Sequence, residues 1–210
     1  MSSRRNRTIR MPAPYLRRIW LEPSRIADRA AYPFCLPFLQ DDFELSFDRS
    51  ITIIVGENGT GKSTLLEGIA VLAGYDEAGG GKGYMPVDHS DALEKMGGRL
   101  STALRASWLP KITNGWFFRA ESFFSVARYL DEMAQKYPME AHMRRMEDIG
   151  HCQIIMATHS PMLMAYPNAT LLRLTKYGLE PVTVKETDHY KVMRKFCDDP
   201  KGFVEAAIEE

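Results

Sequence analysis

The run Ile51-Thr52-Ile53-Ile54-Val55-Gly56-Glu57-Asn58-Gly59-Thr60-Gly61-Lys62-Ser63-Thr64-Leu65-Leu66 decides the fold. Its first five residues are all β-branched, which predicts a strand buried on both faces, as in a parallel sheet. Gly56 to Gly61 predicts a loop. Leu65, Leu66, Ile69 and Ala73 then share one face of a helix expected from Lys62 to about Ala73, with Gly74 as its stop. Strand, glycine loop and helix in that order form one unit of an α/β fold.

Gly56-Glu57-Asn58-Gly59-Thr60-Gly61-Lys62-Ser63 fits G-x-x-x-x-G-K-[ST], with the strand before it and the helix after it that the motif requires. Glycines there allow backbone conformations and close approach that a Cβ would block. The loop's N–H groups can converge on phosphate oxygens at a helix N-terminus, where the dipole also favours anions. Lys62 brings a point charge to the outer phosphates, and the Ser63 hydroxyl is a ligand for Mg²⁺. Gly56, Asn58, Gly59, Thr60, Gly61, Lys62, Ser63 and Thr64 are therefore the candidate nucleotide-binding residues, with Ser63 also the candidate metal ligand. A nucleoside triphosphate with Mg²⁺ is the expected ligand. A glycine turn that merely joins strand to helix is the competing reading, and the flanking structure weighs against it.

Outward from the loop, Tyr15–Leu21, Ala31–Leu39 and Phe43–Phe47 read as short strands, broken by Pro33, Pro37 and Asp41-Asp42. Ala78–Gly83, with Gly79, Gly80, Gly81 and Gly83, reads as a flexible surface loop. Trp116–Phe118 predicts a short strand, and Ser122 to about Lys136 an amphipathic helix. Pro138 is expected to open another helix that buries Met139, Met143, Met146 and Ile149 and stops at Gly150. Gln153–Thr158 is a second buried-strand candidate. Ala169–Thr175 and Leu179–Val184 flank Lys176-Tyr177-Gly178 as a hairpin. The chain after Thr187 reads as helix, with a restart at Asp199-Pro200. The predicted class is α/β of the P-loop NTPase kind, a mainly parallel sheet with flanking helices, a small antiparallel N-terminal β part and a C-terminal hairpin.

Two hundred and ten residues, 45% hydrophobic and 26% charged, suit one folded domain rather than two. We expect a basic flexible tail over residues 1–12 and a single ATP-binding domain over 13–210. Lys+Arg 27 against Asp+Glu 27 leaves no net charge, which gives no support to nucleic-acid binding by the domain as a whole. No run approaches ~20 apolar residues, so no membrane span is expected. Cys35, Cys152 and Cys197 are three and far apart, which argues against a disulfide framework and for a reducing, cytoplasmic setting. His142, His151, Cys152 and His189 show no metal-ligand spacing.

The wording G-E-N-G-T-G-K-S-T, with Asn58 before Gly59, resembles the ABC/RecF/SMC branch of P-loop ATPases. Gln153-Ile154-Ile155-Met156-Ala157-Thr158-His159-Ser160-Pro161 resembles that branch's switch-histidine segment. The chain is more closely similar to the stand-alone bacterial predicted ATP-binding proteins of that branch, usually labelled AAA-family ATPases. That similarity takes in Tyr32-Pro33-Phe34, Phe117-Phe118-Arg119-Ala120-Glu121-Ser122-Phe123-Phe124, Ala165-Tyr166-Pro167 and Thr187-Asp188-His189-Tyr190. It implies ATP hydrolysis, a catalytic role for His159 in sensing the γ-phosphate, and a nucleotide-dependent homodimer. The carboxyl ends of parallel strands are where α/β sheets bind ligands, so the position after Gln153–Thr158 suits His159. Relatives in the branch act on DNA, a partner for which only the basic tail speaks here.

Two parts of the pattern have no counterpart. Neither a Ser/Gly-rich signature nor a Walker B strand ending in Asp-Glu precedes the switch segment. Leu130-Asp131-Glu132 falls in the amphipathic helix, Leu39-Gln40-Asp41-Asp42 precedes the phosphate loop, and Gly97-Gly98-Arg99-Leu100-Ser101 is no signature. Gln135, Arg119 and Glu121 are the substitutes considered for a Mg²⁺-coordinating glutamine. A water-orienting base is typically worth roughly 10²–10⁴-fold, so ATP binding with weak or absent turnover is expected. A non-hydrolysing nucleotide-binding module stands as the alternative, and a P-loop kinase using Arg99, Arg105 and Lys111 as a lid stands behind it. Loss of the Walker B strand is also expected to leave an unpaired sheet edge.

Overall fold

The computed structural model of the chain describes residues 12–74, 80–81, 97–109, 115–118, 139–150 and 152–209. The β-branched run forms strand β3, Ile51–Val55, buried along its whole length. Before it come β1, Leu16–Leu21, and β2, Glu44–Ser46. After it come helix α1, Lys62–Ala73, the two-residue strand β4, Gly80–Gly81, helix α2, Gly97–Ala103, and β5, Leu104–Trp108. Next are β6, Gly115–Phe118, α3, Met139–Ile149, β7, Gln153–Ala157, and the one-turn helix α4, Pro161–Met164. The hairpin strands β8, Thr170–Thr175, and β9, Gly178–Pro181, lead to α5, Asp188–Asp198, and α6, Pro200–Glu209.

Two sheets result. The larger has the order β4-β6-β7-β3-β8-β9, parallel from β6 through β8 and antiparallel at each end. The smaller, β2-β1-β5, is antiparallel. Side chains alternate across β3 with the period of two that a pleated strand imposes. Ile54 faces α1, α2 and the small sheet in one core, with Leu65, Ile69, Leu100, Ile19 and Phe47. Ile51, Ile53 and Val55 face Met143, Met156 and Leu163 in the other. Helix α1 is wedged between the sheets, so even Thr64 and Glu67 are buried.

The sheets are joined by a buried carboxamide as well as by apolar contact. Gln153 Oε1 accepts from Tyr15 N at 3.0 Å and Leu16 N at 2.8 Å, while its Nε2 donates to Leu16 O at 3.0 Å. Gln153 thus continues backbone-like pairing from β7 to β1.

Several expectations are corrected. Ala31–Leu39 is not a strand but a series of turns ending in a 3-10 turn at Pro37–Leu39. Pro33 and Pro37 lack the N–H groups a ladder needs, and the segment closes on itself through Leu36 N to Pro33 O and Gln40 Nε2 to Phe34 O. Gly80 and Gly81, assigned above to a flexible loop, pair antiparallel with Phe117 and Trp116. Ile149, placed above on the buried face of its helix, is 62% exposed, because the last turn before Gly150 runs past the core that Met143 fills. The edge of β7 opposite β3 is covered, not bare: β6 lies parallel to it, from Gly115 opposite Gln153 to Phe118 opposite Met156. The predicted Ser122–Lys136 helix, Arg119, Glu121, Asp131, Glu132, Gln135, Lys111, His151 and the basic tail to residue 11 lie outside the described residues.

Helix α2 was not anticipated. It packs on α1 where Gly68 has no side chain, and a Cβ there would stand 3.0 Å from Leu100 Cδ2. Among the described residues, no helix is long and apolar enough to cross a membrane.

Candidate functional site

The glycine loop connects the carboxyl end of β3 to α1 and adopts conformations that a Cβ opposes. Gly56 has φ 147°, and a Cβ on it would come 2.8 Å from the backbone oxygen of Leu174 on β8. Gly61 has φ 92° and caps α1, and a Cβ there would meet Leu36 Cδ1 and Phe38 Cε1 at 2.9 Å. The turns at residues 34–39 that replace the expected strand therefore lie against the loop. Leu65 N donates to Gly61 O at 2.9 Å as the helix's first bond, so the N–H groups just before it have no acceptor within the helix.

Lys62 is only 8% exposed. Its Nζ donates to the loop's own carbonyls, Gly56 O at 2.8 Å and Glu57 O at 2.5 Å. A buried ammonium is tolerated where hydrogen bonds replace its hydration. Thr60 Oγ1 donates to Glu57 O at 2.9 Å and stiffens the same turn. Thr64 Oγ1 shares a hydrogen bond with the Tyr32 hydroxyl.

Beside β3, strand β7 ends at Ala157, and Thr158, His159 and Ser160 continue from its carboxyl end. Thr158 Oγ1 accepts from Ser160 N at 3.1 Å, and Ser160 Oγ accepts from Leu163 N at 3.4 Å, capping α4 with Pro161 in its first turn. These bonds fix the bend that turns His159 toward the loop. His159 Nδ1 lies 2.6 Å from His189 Nε2, with ring centroids 4.6 Å apart.

Asn58, Gly59, Gly61, Lys62, Ser63 and Thr64 line one cavity of 230 Å³ together with His159, Tyr32 and Leu36. Of the sequence-predicted residues, Gly56 and Thr60 stand behind that wall, in the loop's framework. Tyr32 and Leu36 were not read as site residues, and Tyr32 entered only through the resemblance. The pairing of His189 with His159 was also missed. Thr187, whose hydroxyl accepts from Tyr190 N as the N-cap, places His189 in the first turn of α5, a local signal that does not reach as far as His159.

The lining residues suit a phosphorylated ligand with Mg²⁺. They offer an ammonium, a histidine and two helix-terminal hydroxyls, with Gly59 and Gly61 between them in the wall. Lys62 and the loop backbone would hold phosphates, and Ser63 would supply the protein's oxygen to the metal. No carboxylate lines the cavity among the described residues. Nor do Arg99 and Arg105, the two arginines considered for a lid, reach it. Among the described residues, no group of three or more His, Cys, Asp or Glu side chains is placed to hold a metal ion.

A family model described as an AAA domain matches residues 34–93. The match contains β3, the glycine loop and α1 and stops short of α2, so it supports an ATP-binding, P-loop ATPase-like unit over that part of the chain. No curated protein matches the chain.

Proposed function

We propose that the chain is a cytoplasmic ATP-binding protein of the ABC/RecF type, folded as one nucleotide-binding domain over residues 13–210, with slow or absent hydrolysis. The observation that carries this reading is that Lys62, Ser63 and Thr64 share a single cavity with His159, at the carboxyl ends of two adjacent parallel strands. Gly56, Gly59 and Gly61 shape the loop, Thr60 holds its turn, and Asn58 lines the cavity. Lys62 binds the outer phosphates, Ser63 meets Mg²⁺, and Thr64 stands at the next position of the first helical turn. His159 meets the γ-phosphate and is the residue through which ATP and ADP differ. Nucleotide-driven pairing of two chains fits this type of ATPase.

Weak turnover follows from chemistry. Hydrolysis needs the attacking water oriented as well as the phosphates neutralised. The sequence offers no Asp-Glu pair at a strand end, and the described cavity wall offers no carboxylate. The test is phosphate release from Mg·ATP across protein concentrations, beside direct ATP binding, for the wild type and for Lys62→Ala. Expected are ATP binding that Lys62→Ala weakens and phosphate release no faster than in that variant. Turnover rising more steeply than protein concentration would instead identify a dimerising ATPase with a carboxylate supplied from elsewhere.

A further inference from the structure

We propose that His189 is a positioning residue for His159, holding that imidazole through a bond in which its Nδ1 can accept, so that Nε2 can carry the proton toward a phosphate; this rests on the nucleotide reading above and extends it to the start of α5. The contact is ring nitrogen to ring nitrogen, His159 Nδ1 to His189 Nε2 at 2.6 Å, so one proton must lie between them. A bond of this kind has two arrangements. With the proton on His159 Nδ1, a neutral His159 presents a bare Nε2, which repels a phosphate oxygen. With the proton on His189 Nε2, His159 Nδ1 accepts and its own proton sits on Nε2, a donor matched to an acceptor-only phosphate. Phosphate in the cavity selects the second arrangement.

The placement of His189 is itself secured. Thr187, 2% exposed, accepts from Tyr190 N and donates to Val184 O at 2.7 Å, which fixes the first turn of α5. The neighbouring Asp188 faces Lys191 at 3.4 Å. Among the described residues lining the cavity, the charged group is Lys62, bonded to Gly56 O and Glu57 O. His189 itself is absent from the cavity wall, so it acts on the phosphate only through His159.

The test uses the full chain. ATP and ADP affinities are measured by calorimetry for the wild type, His189→Leu and His189→Gln, and imidazole ¹⁵N spectra are recorded for the wild type with ATP. The expected result is an ATP affinity about tenfold weaker in His189→Leu with ADP affinity unchanged. His189→Gln, which keeps a side-chain N–H, restores most of the ATP affinity. His159 Nδ1 in the ATP complex carries no proton and shows the shift of a hydrogen-bond acceptor. Equal losses for ATP and ADP, or a proton on Nδ1, overturn the role of His189 while leaving nucleotide binding intact. A wild-type chain that binds neither nucleotide overturns the nucleotide reading and this proposal together.

Discussion

Gln153 meets Leu16 on both sides of the peptide, accepting from its N–H at 2.8 Å and donating to its carbonyl at 3.0 Å. One carboxamide thus does what a ladder pair does, between the first residue of β7 and the first residue of β1. Its Oε1 also takes the N–H of Tyr15. Because all three partners are buried backbone groups, removing the carboxamide leaves them without solvent to turn to. Gln153→Leu is expected to destabilise the fold by about 2–4 kcal/mol, measured as a fall in the urea midpoint at unchanged slope. Gln153→Glu retains an acceptor but no donor for Leu16 O at neutral pH, and it should fall short of the wild type too.

The loop glycines separate into two kinds. Gly56→Ala must move the β8 backbone at Leu174 as well as adopt a positive φ, and backbone does not yield as a side-chain tip does. Gly59 also has a positive φ, at 79°, but nothing lies within 4 Å of where its Cβ would stand. Gly59→Ala should cost about 1–2 kcal/mol for the left-handed conformation alone. Gly56→Ala should cost distinctly more and lower the thermal midpoint further. Equal midpoints in the two variants would refute the assignment of Leu174 O as the obstacle.

Lys62→Ala removes an ammonium that touches the loop carbonyls and faces the cavity. A charge-assisted contact with phosphate is worth about 1.5–3 kcal/mol, so ATP affinity should drop by about tenfold to a hundredfold. Circular dichroism should show the same helix content as the wild type. A variant that binds ATP as well as the wild type would show that the cavity does not use this lysine.

Tyr166 is pushed up to about 12, first by burial and then by the hydrogen bond its hydroxyl gives Glu147 at 3.0 Å. Its folded form therefore keeps the proton more firmly than the unfolded chain, which loses it near pH 10. The associated stability is complete below pH 10 and is lost as pH rises toward 12. Tyr166→Phe should lower stability at pH 7 by about 1 kcal/mol for the lost hydrogen bond and flatten the decline between pH 10 and 12. Denaturant midpoints at several alkaline pH values read both effects.

How much of this was legible depended on whether a residue's partner was near it in the chain. Strand β3 and helix α1 follow from the β-branched run and from Gly74, whose φ of 81° ends the helix where the sequence places its stop. The β8–β9 hairpin and β7 were readable for the same local reasons. Helix α2 was not, because Gly97 and Gly98 are poor helix formers and the helix is held by Leu100 lying against Gly68. Ala31–Leu39 misled because its apolar content serves the loop: Leu36 and Phe38 crowd Gly61, and Tyr32 reaches Thr64. In the cavity, the loop residues and His159 could be located from motif and resemblance. His189 stands thirty positions away from His159, and nothing in the local pattern points across that gap.

Helix α5 is held at its first turn, where Thr187 is buried and His189 grips His159, while residues 191–200 are all exposed. At 1.5 Å per residue its 11 residues make an arm of about 16 Å. A tilt of about 10° at Thr187 carries the far end, where Phe196 meets Phe203 of α6, through roughly 3 Å. Displacements too small to see at an imidazole are thereby magnified several-fold at the periphery, with the Thr187 turn as fulcrum.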